Sequence, residues 1–166
     1  MDNLTAVTVF PHEQIALLHS HEIIELKRYQ WLTLIFLPFD LSISRLMSAI
    51  SSESSCRLDE LRDWAGEREF VPGVDVYSLE KLGLMPTQAQ HFFVVNERMA
   101  FQVLIKAEEA AKTSHSFYMS LLESNMTPLA HGVFLDFAMQ KYNEYHVLKE
   151  CREQWSESLS RWRLAL

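Results

Sequence analysis

The sequence predicts an all-α fold, a four-helix bundle of two antiparallel helical hairpins joined by one long crossover, in a single domain over residues 1–166. Three observations carry this. A chain of 166 residues with 48% hydrophobic content can bury one sizeable core, whereas two domains would each be marginal. Only four Gly and five Pro punctuate the chain, which leaves long uninterrupted segments. Apolar residues recur along these segments at helical spacing, and the gaps between segments run short, long, short.

The first helix is expected over about residues 12–37. It opens beside Pro11, well placed in a first helical turn, and is stopped by Pro38. Asp40 can cap the second helix, about 41–65, which ends at Gly66. So tight a corner makes these two helices antiparallel neighbours. From Gly66 to about Val95 the periodicity breaks down around Val71-Pro72-Gly73 and between Gly83 and Pro86. One short helix is expected there, near Ser78-Leu79-Glu80-Lys81-Leu82. This stretch, about 66–95, is the crossover. Asn96 can cap the third helix, about 96–123, and a short turn leads to the fourth, about 128–156, opened by Pro128.

Composition excludes several function classes. With 15 Lys plus Arg against 22 Asp plus Glu, the formal charge of −7 argues against nonspecific binding to nucleic acid or an anionic membrane surface. Cys56 and Cys151 lack CxxC spacing and allow at most one disulfide, so a reducing cytoplasm is the expected location. The N-terminus has no basic segment followed by an apolar run, which predicts no signal peptide. The longest apolar patch, Trp31 to Phe39, is far short of the ~20 residues a membrane span requires. There is no GxGxxG, GxxxxGK[ST] or GxSxG.

The helix faces carry the informative residues. At about 100° per residue, Leu18, Tyr29, Leu32, Ile35 and Phe36 share one arc of the first helix, and Glu22 and Glu25 fall inside it. Glu13, Gln14, Lys27 and Gln30 are expected to be solvated. The second helix has an apolar stripe of Ile43, Leu46, Met47, Ile50, Leu58, Leu61 and Trp64, with Ser54 and Arg57 in its middle and Glu53 at its margin. On the third, Phe101, Leu104, Ala111, Tyr118 and Leu122 point inward, with Glu108 and His115 close to that face. On the fourth, Val133, Phe137, Leu148 and Trp155 surround Glu144, while His146 points elsewhere. Arg57 facing Glu22 or Glu25 would neutralise either one through paired hydrogen bonds, with no metal needed. His19 and His21 lie about 200° apart on a helix and make a weak chelator. Trp162 is a candidate partner-surface residue.

The helical order with one crossover, and Glu22 followed seven positions later by Tyr29, resemble the ferritin-like superfamily and within it the rubrerythrin-like branch. That resemblance implies two irons reacting with oxygen or peroxide. Glu on the first and third helices and Glu-x-x-His on the second and fourth would hold them, hard carboxylates bridging the iron and imidazoles completing each sphere. Carried over, Glu22 takes the first-helix place, with Glu25 as its alternative. The second-helix slot falls on Ser54 and Arg57, or on Glu53 and Cys56, and neither pair supplies the His. The position seven before Tyr118 is Ala111, so Glu108 substitutes from a neighbouring turn. On the fourth helix the spacing that ends at His146 begins at Asn143, and the core-facing pair is Glu144 and Val147. No intact Glu-x-x-His occurs in the sequence.

Two functions are therefore expected to compete. One is a degenerate iron or other metal site on Glu22, Glu25, Glu108 and Glu144 with His115, with oxygen or peroxide chemistry. The other is a metal-free scaffold in which these carboxylates pair with Arg57 and Lys141, and whose apolar surface forms a homo-oligomer or binds a protein partner.

Overall fold

The computed structural model describes residues 11–65, 92–124 and 128–164, and these form four helices with no strand among them. They are α1 (Pro11–Phe36), α2 (Leu41–Ala65), α3 (Glu97–Ser124) and α4 (Pro128–Leu164). The short helix expected near Ser78 lies outside the described residues. The last helix runs past the expected end near Ser156 to Leu164, because nothing after Ser156 is a Gly or Pro that would stop it.

Local chemistry fixes the helix ends. Pro38 cannot continue α1, and the chain turns with Asp40 N donating to Phe36 O at 2.8 Å. Asp40 then caps α2, its Oδ1 accepting from Ser42 N at 2.8 Å and Ile43 N at 3.0 Å. Ser44 Oγ reaches back to Thr33 O at 2.8 Å and clamps the corner. Asn96 caps α3 in the same way, accepting from Met99 N at 2.9 Å.

α1 packs along α2 and α3 along α4, so the molecule is built of two hairpins, and these face each other with α1 beside α3 and α2 beside α4. Contacts between hairpins set the helix directions. Gln14 Nε2 near the start of α1 donates to Ser124 O at 3.3 Å, and Val94 N ahead of α3 donates to Ile35 O at 3.0 Å. α1 and α3 are therefore antiparallel. α2 and α3 then run parallel, and residues 66–96 join opposite ends of the bundle.

The apolar core is divided. One cluster gathers Tyr29, Leu32, Ile35, Phe36, Met47, Leu104 and Leu148 with the small residues Ala100, Ala107 and Ala111. The other is richer in rings, with Tyr118, Phe134 and Phe137 around Leu18 and Leu61. Glu22, Glu25, Arg57, Lys141 and Glu144 are buried as well. Gln14, expected to be solvated, and Trp64, placed in the apolar stripe, both change. Gln14 is buried, because its amide finds Ser124 O, and Trp64 is 36% exposed near the end of α2.

Candidate functional site

Full charges from three helices meet in the middle of the bundle. Periodicity puts Glu22 and Glu25 of α1, Arg57 of α2, and Lys141 and Glu144 of α4 on the inward arcs, and no solvent is within reach once the hairpins close. Glu22 and Arg57 are 0% exposed. Arg57 Nε donates to Glu22 Oε2 at 3.0 Å, and its Nη2 donates to Glu144 Oε1 at 2.5 Å and Ser54 Oγ at 3.0 Å. Nη1 donates to Gln140 Oε1 at 2.9 Å. One guanidinium thus bridges α1 and α4 from α2, using the fork geometry that a lysine lacks.

Lys141 completes the layer. Its Nζ lies 3.0 Å from Glu22 Oε1, 3.2 Å from Glu144 Oε2 and 3.8 Å from Glu25 Oε2, and 5.7 Å from the centre of the Tyr118 ring. Tyr118 OH donates to Glu22 Oε1, and Arg28 pairs with Glu25 Oε1. Three carboxylates, Glu22, Glu25 and Glu144, are matched by three cations, Arg28, Arg57 and Lys141. Buried charges survive only when paired and hydrogen-bonded in this way.

Ionisation follows the geometry. Burial pushes the Glu22 carboxyl up, but Lys141, Arg57 and the Tyr118 hydroxyl outweigh it and hold it below its ordinary value. Burial works against the charge on Arg57 too, and Glu22 and Glu144 hold it more firmly protonated. Glu25 goes the other way. Its burial dominates, its Oε2 has no hydrogen-bond partner, and its pKa is raised. The Tyr118 hydroxyl is pushed well up by burial and by Glu22, so it keeps its proton and donates it to Glu22 Oε1. Tyr29, also held well above its ordinary value by burial and Glu25, is buried with its OH unpartnered.

His21 sits beside this layer. Its Nε2 lies 2.7 Å from Ser114 Oγ, and its ring stacks on Phe117 with centroids 4.4 Å apart. Burial, then Lys141, lowers its pKa to about 4, so the ring is neutral at pH 7.

The structure brings together Glu22, Glu25 and Glu144 but not Glu108 or His115. The α3 positions that face the middle are Ala111, Ser114 and Tyr118, all buried. Glu108 and His115 lie roughly 70–90° round the helix from that line, at its half-buried margin. Glu108 pairs there with Arg152, and His115 meets Tyr142 edge-on at 5.5 Å. Among the described residues, no three His, Cys, Asp or Glu side chains form a group that could hold a metal ion. Sequence reasoning placed Arg57 and Lys141 as possible partners of the carboxylates but missed Gln140 and the hydrogen-bonding role of Tyr118. Arg57 in the middle of the α2 apolar stripe and Lys141 three residues before Glu144 on one face carried readable signals, whereas Gln140 at the half-buried margin carried none.

Cys56 and Cys151 are both free thiols, so the disulfide that the sequence allowed is not formed. No helix among the described residues is long and apolar enough to cross a membrane. No family model, no curated protein and no solved structure matches the chain.

Proposed function

We propose that this chain is a metal-free scaffold of ferritin-like helical arrangement whose role is to bind another protein. The observation that carries this reading is the pairing of Glu22 and Glu144 with Arg57 and Lys141. All four carboxylate oxygens of Glu22 and Glu144 already face fixed cations or Tyr118. A divalent ion entering there would add two positive charges to a layer that is already balanced, and would have to displace a guanidinium held by four hydrogen bonds. The parallel run of α2 and α3 supports the ferritin-like arrangement. Large apolar side chains left at the surface, such as Leu34, Leu37, Phe92 and Phe93, support a binding role.

The competing reading, an iron site on Glu22, Glu25 and Glu144, draws on the meeting of those three carboxylates. One experiment separates the two. Protein purified without a histidine tag is incubated anaerobically with Fe(II), desalted and analysed for metal. The scaffold reading expects no stoichiometric iron and a melting temperature indifferent to chelator. Iron retained stoichiometrically and lost on Glu22→Ala would overturn it.

A further inference from the structure

One edge of the ionic layer is not closed by its own members. Glu25 Oε2, Arg28 Nε and Tyr29 OH are all buried and all without a hydrogen-bond partner, and they lie within about one turn of α1. Glu25 and Tyr29 are both 0% exposed. Such atoms are rare in folded proteins, because an unpaired buried polar group forfeits its hydration. Three of them so close together point to a shared partner.

The second hairpin supplies a fourth group. Of the three protons on the Lys141 ammonium, Glu22 Oε1 at 3.0 Å and Glu144 Oε2 at 3.2 Å take two. The third has Glu25 Oε2 at 3.8 Å, near enough to feel its charge and too far for a direct hydrogen bond. A polar gap of that length is one that water spans. Helical side chains lean toward the N-terminus, so Tyr29 reaches back over the turn that carries Glu25. The Tyr29 hydroxyl is held well above its ordinary value by burial, then by Glu25 and Glu144, so it stands in the field of the same carboxylates. In the cluster around Tyr29, α3 contributes Ala107 and Ala111, which take up little room and carry no polar side-chain atom.

We propose that Glu25, Arg28, Tyr29 and Lys141 bind one internal water molecule, which bridges the two hairpins at the edge of the ionic layer. The proposal rests on the metal-free reading above. Charge selects the occupant: three carboxylates are already matched by three cations, so an ion of either sign would unbalance the layer, whereas a neutral molecule does not. A water can accept from Lys141 and Arg28 and donate to Glu25 and Tyr29, which is its full complement of bonds. It also suits Glu25, whose pKa is raised by burial. Water donates to the carboxylate and accepts from the carboxylic acid, so Glu25 can change its protonation without disturbing the bonds from Lys141 to Glu22 and Glu144.

The test combines a high-resolution crystal structure of the full chain, with and without bromide in the crystals, and oxygen-17 relaxation dispersion in solution. The density should show one water peak within about 3.2 Å of Glu25 Oε2 and of Tyr29 OH or Lys141 Nζ, unchanged by bromide. In solution this water should stay bound for longer than the molecule takes to tumble, because the hairpins must part to release it. The double variant Glu25→Met, Tyr29→Phe removes two partners and fills the space with apolar atoms, and it should hold one long-lived water fewer than the wild type. A circular-dichroism melt checks that it is folded. Should it fail to fold, Tyr29→Phe alone, which removes only the hydroxyl, should shorten the residence time. Three results would overturn the proposal: Glu25 bonded directly to Tyr29 or Lys141 with no density between them, an anomalous bromide peak at the site, or equal numbers of long-lived waters in the wild type and the double variant. The iron experiment reads the scaffold question separately. Iron-free protein with a dry gap sinks the water proposal alone, and iron-loaded protein sinks the scaffold reading itself.

Discussion

Around Ile35, Leu104 and Leu148 the bundle is filled by aliphatic and small side chains, whereas at Glu22, Arg57 and Lys141 equally buried positions carry full charges. The two regions are alike in dryness and unlike in how their members depend on each other. Apolar contacts are non-directional, so losing one side chain costs its own burial and the cavity it leaves. In the ionic layer every member satisfies several others, and removing one leaves uncompensated charge behind. An apolar region fails by degrees and an ionic one as a set.

The strongest way to break this contrast is Arg57→Met. It leaves Glu22 and Glu144 with Lys141 as their one shared cation and is expected to cost about 3–5 kcal/mol in urea unfolding. Replacing the set together, with Glu22→Leu, Arg57→Met, Lys141→Leu and Glu144→Leu, should recover most of that loss. If the single and combined variants are equally unstable, the layer is not collective. Leu104→Ala, in the apolar cluster, is expected to lose about 3 kcal/mol. No change elsewhere in that cluster should restore it fully.

Acid sharpens the comparison further. The folded pKa of His21, about 4, lies below its unfolded value of 6.5, so the folded state takes up this proton less readily. Its contribution is intact above about pH 6.5 and is lost as pH falls toward about 4. The loss amounts to roughly 3 kcal/mol. Glu22, held below its ordinary value, adds to the acid loss at lower pH, and Glu25, held above, offsets part of it. His21→Gln keeps a polar partner for Ser114 but does not titrate, and should flatten stability between pH 6.5 and 4. The smallest effect is expected at the corner, where Asp40→Ala removes the α2 cap at a cost of about 1 kcal/mol. Neither buried region should notice it.

Much of the fold was legible because its signals are local. Pro38, Asp40 and Asn96 mark helix ends by chemistry that acts within a few residues, and the ends they mark fall within a residue of the expected ones, whereas the last helix, with no such mark, runs eight residues further than expected. Residues in the middle of the inward arcs, including Glu22, Glu25, Arg57 and Glu144, are buried as expected. Margins were harder. Gln14 reads as solvated until a carbonyl on another helix is seen to meet it, and Glu108 and His115 differ from the inward line by an angle that periodicity resolves poorly. Which oxygen meets which cation depends on how deeply the two hairpins interlock, and no single helix records that.

The origin of the layer's members has a kinetic consequence. Glu22, Glu25 and Arg57 belong to the first hairpin, while Tyr118, Gln140, Lys141 and Glu144 belong to the second. Each hairpin is made of neighbours in sequence and can form early, but the bonds from Arg57 to Glu144 and from Lys141 to Glu22 exist only after the two dock. Stripping water from these charges therefore belongs to the last stage of assembly. Substitutions in the layer should act mainly on the rate at which the bundle opens and leave the rate at which it forms nearly unchanged.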